Sequence, residues 1–264
     1  PAVDHIRRLH GFEGLATEDF VRRTVAGYCA LITHMDEQIG AVMRTAEDLG
    51  LLENTRVLYT SDHGEAAGHH GLFAKSIVYD HSISVPFVMS GPGIEPGGVV
   101  DQIVNHVDLF PTVIETVGGQ LAADDADLMG VSLWPAIGGT DSDRVGFSEY
   151  HGHGSKSGMY ALRRGRYKLL YFVDMPLQVF DLESDPGETN DISATEEGRR
   201  QAEALEAELR TILDPEAVDR RAKEDQRMQI ERMGGVEACL SKGNYLNNPV
   251  PGKEPELFGF DGKE

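Results

Sequence analysis

Apolar residues recur along this chain at two periods, and the changes of period divide it into elements. Between residues 17 and 50, Phe20, Val21, Val25, Tyr28, Leu31, Ile32, Met35, Ile39, Val42 and Met43 return at three- and four-residue steps, which predicts one long helix with an apolar stripe. Thr17 ahead of Glu18 and Asp19 is its start signal, and Gly50 its stop. The run Val57-Leu58-Tyr59-Thr60 predicts a short buried strand, and residues 85–89 (VPFVM) predict a second with its proline at the start. Strands of this kind in an α/β protein expect parallel neighbours and helices over both faces. A helix over residues 109–117 follows, with Asp108 as N-cap and Pro111 in its first turn.

After residue 143 the period shortens. Residues 147–150, 159–163, 167–172 and 178–182 are short runs separated by Gly or Pro, with Arg164-Gly165-Arg166 as a hairpin turn, and they predict an antiparallel sheet. Residues 196–213 then predict a helix with Leu205, Leu209 and Ile212 on one face. A charged helix over residues 220–233 ends at Gly234-Gly235, and the Pro-, Gly- and charge-rich remainder reads as a solvated tail.

Chemistry concentrates in the stretch VLYTSDHGEAAGHHGLFAK, residues 57–75. Asp62 and His63 emerge side by side where the first strand ends, and ligands of open α/β sheets bind beyond the carboxyl ends of strands. A carboxylate and an imidazole can ligate a divalent cation, while the same residues can equally form a turn closed by the aspartate side chain. His69, His70 and Lys75 follow; a lysine there suits an anionic substrate group. Between the predicted strands at 147–150 and 159–163, His151 and His153 lie in a glycine-rich loop, readable as a substrate contact or as an exposed loop.

The segments SDHGEAAGHHGLFAK, YDHSISVPFVMSGPGI and VNHVDLFPTVIETVGG, in this order and spacing, resemble the C-terminal half of a type I sulfatase of the alkaline phosphatase superfamily, with a look close to bacterial choline-sulfatase and arylsulfatase-like enzymes. The resemblance runs from about residue 18 to about residue 191. It implies an α/β fold: the C-terminal part of a doubly wound sheet over residues 1–143, a small antiparallel subdomain with a packing helix over 144–214, and a charged helix and tail over 215–264 that could serve an oligomer contact. It implies that Asp62 and His63 ligate one divalent cation, calcium in most of the family, with manganese, magnesium or zinc as alternatives. It assigns Lys75 to the sulfate, and His70, His151 and His153 become candidate substrate contacts. The choline-sulfatase pattern has an acidic residue near His153, and its absence argues against choline sulfate.

The chain departs from the family pattern in one respect. The formylglycine nucleophile arises from a Cys/Ser-x-Pro-Ser-Arg motif, and neither Cys29 nor Cys239 stands in that context. With a start at Pro1, the expectation is a C-terminal portion of a longer enzyme that hydrolyses a small-molecule or saccharide sulfate ester. A phosphate or phosphonate ester hydrolase of the same superfamily is the alternative, and a noncatalytic interaction module a third.

Composition narrows the partners. A formal charge of -20 repels nucleic acid over most of the surface, so an anionic substrate needs a local reversal of sign by a cation and Lys75. No apolar run reaches the roughly 18 residues of a membrane span. Two distant cysteines make no disulfide framework, and cytoplasmic and periplasmic or secreted placements are both compatible with the sequence.

Overall fold

The computed structural model describes residues 1–140, 143–152 and 154–241. Two compact units emerge, Pro1–Leu213 and Asp214 onward.

In the first unit, α1 (Ala2–Leu9) precedes the long helix α2 (Glu18–Asp48). The Thr17 hydroxyl accepts the Phe20 N–H at its start, and Gly50 sits past its end at φ +68°. There the Gly50 and Leu51 amides donate to the Glu47 and Ala46 carbonyls, a left-handed glycine closure of the last turn. The apolar stripe of α2 is uncovered: no residue of this helix is buried, and Leu31 and Val42 are each 68% exposed. Its beginning meets the loop after β1, where Phe20 lies edge-on to Phe73 at 5.0 Å.

Strand β1 (Val57–Thr60) pairs with β2 (Phe87–Ser90), and Pro86 stands just before β2. The pairing is antiparallel, with Val57 opposite Ser90 and Thr60 opposite Phe87, and corrects the expectation of parallel neighbours. The loop between the strands, carrying α3 (Asp80–Ile83), brings the chain back alongside β1 without a crossover. Helix α4 (Leu109–Thr116) starts where expected, but Asp108 makes no side-chain cap on it. Its fully buried carboxylate accepts instead from the Asn105 and Val131 amides, at 2.8 and 2.9 Å, and from the Arg144 guanidinium at 2.7 Å. A buried carboxylate is stable only when paired, and Arg144 supplies the countercharge that the capping reading lacked. The connection after α4 carries a short helix, α5 (Trp134–Ile137), whose Trp134 indole N–H donates to the Thr116 hydroxyl at 3.0 Å.

Strands β3 (Val145–Tyr150), β4 (Met159–Arg164), β5 (Tyr167–Phe172) and β6 (Gln178–Asp181) form an antiparallel sheet in sequence order. Gly165 turns the β4–β5 hairpin at φ +55°, placing Arg164 opposite Tyr167. On one face Tyr160, Leu162, Leu169 and Val179 pack against Ala202, Leu205 and Leu209 of α6 (Glu196–Ile212). On the other, Met159, Ala161, Leu170, Phe172 and Phe180 pack against Ile6 of α1 and against Ala66, Leu72, Ile77, Val78 and Tyr79. Packing is thus continuous across residue 143, and the sheet becomes the platform under the histidine-bearing loop.

In the second unit, Asp214 caps α7 (Pro215–Arg232) by accepting the Ala217 N–H, and Gly234 and Gly235, at φ +99° and +91°, separate α7 from α8 (Val236–Ser241). The tail segment from 242 onward, to which the oligomer contact was assigned, lies outside the described residues. No described helix is long and apolar enough to cross a membrane.

Candidate metal and sulfate site

The loop leaving β1 brings Asp62 and His63 together. Asp62 Oδ2 lies 3.3 Å from His63 Nε2, and Asp62 Oδ1 accepts the His63 amide at 3.0 Å. The other ring nitrogen, Nδ1, is 2.9 Å from the Gly64 carbonyl, which can only accept. Nδ1 therefore carries a proton, and Nε2 faces a carboxylate oxygen. Two lone pairs at that separation repel unless a cation, or a proton on Nε2, lies between them. Carbonyl orientation of a ligating histidine through its second nitrogen is the usual arrangement in metal sites. Desolvation pulls the Asp62 carboxyl upward, but the His63 amide, the imidazole and Ser61 outweigh it and hold the group below its ordinary value.

Gly64 fixes this pair to the scaffold. Its amide donates to the Ser82 carbonyl at 2.8 Å, and a Cβ on it would stand 2.0 Å from the His81 carbonyl oxygen. No side chain fits there.

Beyond Gly64 the loop is cross-braced and strained. Glu65 accepts the Ala67 and Ala74 amides at 3.1 and 2.5 Å, and Ala66 donates to the Ala74 carbonyl. Four residues other than glycine are left-handed within this stretch: Ala67, His70, Ala74 and Ser76, at φ +47°, +52°, +65° and +86°. Backbone strain of this density is characteristic of segments whose side chains are positioned for function. It presents Lys75 exposed at the end of the loop.

The candidate substrate contacts are placed differently from one another. His70 stacks on Tyr79 with ring centroids 4.0 Å apart and bonds to the Gly187 backbone. Arg7 donates to the His70 carbonyl at 2.9 Å, and both residues line a cavity of about 320 Å³ with Tyr79, Gln178 and Asp191. Burial, then the positive charges of His69 and Arg7, lowers the His70 pKa. His151 follows β3, 3.2 Å from Glu149 and edge-on to Tyr160. His153 lies outside the described residues.

His81 completes a histidine cluster, with its ring 5.4 Å from that of His70 and 5.7 Å from that of His69. Burial, reinforced by His70, His69 and Lys168 and opposed by Asp80, pushes it down to about 3 from 6.5. Below pH 6.5 the unfolded chain takes up a proton that folded His81 refuses, so this contribution to stability is full above pH 6.5 and lost as pH falls toward 3. Urea unfolding midpoints should drop between pH 7 and pH 5, and more shallowly in His81→Gln; parallel profiles would contradict this account.

The sequence reading passed over the ion triad beneath this loop. Lys168 on β5 is 1% exposed, and its Nζ lies 2.5 Å from both Asp80 Oδ1 and Glu188 Oε1. Glu188 Oε2 accepts the Asp80 amide at 2.5 Å. The available signal was a lysine on the same strand face as Leu170 and Phe172, which is a core position.

Two family models match: the sulfatase model over residues 8–119, and the model of the N-sulphoglucosamine sulphohydrolase C-terminal region over residues 68–214, more than half of the chain. The chain belongs to the sulfatase family. A choline-sulfatase of Rhizobium meliloti is 33% identical over 87% of this chain and 44% of its own. A solved structure of BT4656, in complex with its substrate D-glucosamine-2-N,6-O-disulfate, is 27% identical with a TM-score of 0.62, covering 73% of this chain and 40% of that one. The phosphonate monoester hydrolase of Agrobacterium radiobacter is 25% identical with a TM-score of 0.64, covering 74% of this chain and 42% of that one. The sulfatase chain described here thus spans less than half the length of each. Its architecture is that of sulfatases with the alkaline-phosphatase-like fold.

Among the described residues no group of three or more His, Cys, Asp and Glu side chains is placed to hold a metal ion. Asp62 and His63 fit as part of a shell, with one hard oxygen and one oriented nitrogen. A hard cation such as calcium takes six to eight oxygen ligands, so further donors must come from elsewhere.

Proposed function

We propose that this chain supplies part of the cation and sulfate site of an enzyme that hydrolyses a sulfate ester, in a longer polypeptide that carries the formylglycine nucleophile. The observation that carries the reading is the Asp62 Oδ2–His63 Nε2 approach of 3.3 Å with Nδ1 held on the Gly64 carbonyl. Asp62 and His63 would hold one divalent cation, calcium first and manganese, magnesium or zinc as alternatives. When bound, it supplies a fixed positive charge for the nonbridging sulfate oxygens. The chain's own residues do the remaining work of recognition. Lys75 places an ammonium against the anionic group, and the Gly64 carbonyl keeps the His63 proton on Nδ1. His70, His151 and His153 are the candidates for contacting the rest of a small-molecule or saccharide substrate.

The likeness to a phosphonate monoester hydrolase favours a second reading, the same site turned to phosphorus esters. Turnover of an aryl sulfate and an aryl phosphonate monoester by the native protein, with and without a chelator, separates the two. The expected result is a sulfate rate at least 100-fold higher, abolished by chelation and restored by calcium. A preference for the phosphonate would establish the second reading, and no turnover of either would leave a noncatalytic interaction module.

A further inference from the structure

The cation reading names two ligands but not what holds them in place. Asp62 has an 83% exposed side chain on a loop, and neither it nor His63 is anchored by its own burial. Beyond the end of β1 they are attached through Gly64, whose amide is bound to the Ser82 carbonyl and whose α-carbon lies against the His81 carbonyl. Both acceptors belong to α3, a single turn of four residues. A helix this short has no stability of its own and must be held from outside.

Ile83 and the neighbouring Tyr79 pack into the core, and the rest of the outside support is ionic. Glu188 Oε2 accepts the first amide of α3, Asp80 N, and its other oxygen meets Lys168 Nζ. Lys168 also pairs with the Asp80 side chain, so α3 is gripped through its backbone and its first side chain together. Glu188 adopts φ +53° to reach this position, a conformation costly for a side chain of its kind. Lys168 and Glu188 are 1% and 3% exposed. A buried ion group of this sort is seldom the most stable filling for its volume, since well-packed apolar residues often do as well. What charge supplies and apolar packing does not is direction: three short contacts fix α3 in one orientation on β5.

We propose that the Lys168–Asp80–Glu188 triad is a positioning element for cation binding, setting α3 on the β3–β6 sheet so that Ser82 and His81 hold the Gly64 turn and the His63 ring beside Asp62. This inference rests on the cation reading of Asp62 and His63. The triad touches neither substrate nor cation; it acts through Gly64.

The test is the affinity of the native protein for Mn²⁺ alone, measured by the free-ion electron paramagnetic resonance signal, in wild type, Asp80→Asn, Glu188→Gln and Asp62→Ala. Leu209→Ala, in the core on the opposite face of the sheet, serves as a control for general destabilisation. Asp80→Asn and Glu188→Gln are each expected to raise the Mn²⁺ dissociation constant at least tenfold, with faster hydrogen exchange at the Gly64 amide, while Leu209→Ala leaves both unchanged. Wild-type affinity in both triad variants, with Asp62→Ala deficient, would overturn the positioning role and leave the cation reading standing. Wild-type affinity in Asp62→Ala would overturn the cation reading itself. If one triad variant fails to fold, the other decides. If both fail, or if Leu209→Ala loses affinity as they do, the triad is structural only and the proposal falls.

Discussion

Asp62→Asn lowers kcat/KM for an aryl sulfate by at least 100-fold in the native protein, and saturating calcium does not restore it. The substitution keeps the shape of the side chain and its hydrogen bond to the His63 amide, so the loop is undisturbed. It removes the negative charge that would hold a divalent cation next to Nε2. Loss of one electrostatic stabiliser of a developing charge costs about 10²–10³ in rate. Loss of one of the two proposed donors would add a fall in cation affinity. Steady-state kinetics over a range of calcium concentrations separates the two effects, because an affinity defect alone is cured by excess cation. Wild-type turnover in this variant would remove Asp62 from the site.

Lys168→Met costs about 3–5 kcal/mol of stability, the range for deleting one member of a buried ion pair. The methionine fills most of the volume, so little of this loss is cavity. The loss comes from leaving the Asp80 and Glu188 carboxylates together without their cation, 2.5 Å from where Nζ stood. Desolvation already raises the Glu188 pKa, with Lys168 as the main opposing influence. Without the lysine it rises further, so the stability of folded Glu188 is present only at low pH and is lost as pH rises through the folded value. The gap between variant and wild type should therefore be wide at pH 7 and narrow at pH 4.5. Urea unfolding at both pH values checks this, and a gap independent of pH would point to packing as the cause.

The closeness of Asp62 and His63 was legible in the sequence because the two are adjacent. Asp62 and His63 leave the end of one strand together, and no long-range contact is needed to bring their side chains within 3.3 Å. The elements were legible where local signals were strong: Thr17 and Gly50 at the ends of α2, the hairpin at Gly165, and the leucines of α6. Asp108 misled because a carboxylate ahead of a helix has a local explanation, while its true partners, Val131 and Arg144, lie far along the chain. The pairing sense of β1 and β2 was also misread. An apolar run specifies a buried strand without specifying the direction of its neighbour.

By itself the sequence determined the longer helices, the strands, the family, and the residues with the chemistry to bind a cation and an anion, since each of these depends on side-chain type at short spacing. Only the tertiary structure decided that His63 carries a proton on Nδ1, that Gly64 admits no side chain, and that Lys168 meets Asp80 and Glu188, residues 88 and 20 positions away in the chain. Buried charge makes the difference. An ion in the interior is stable only beside its partner, and which partner folding brings within reach is a property of the packed chain that no local pattern encodes.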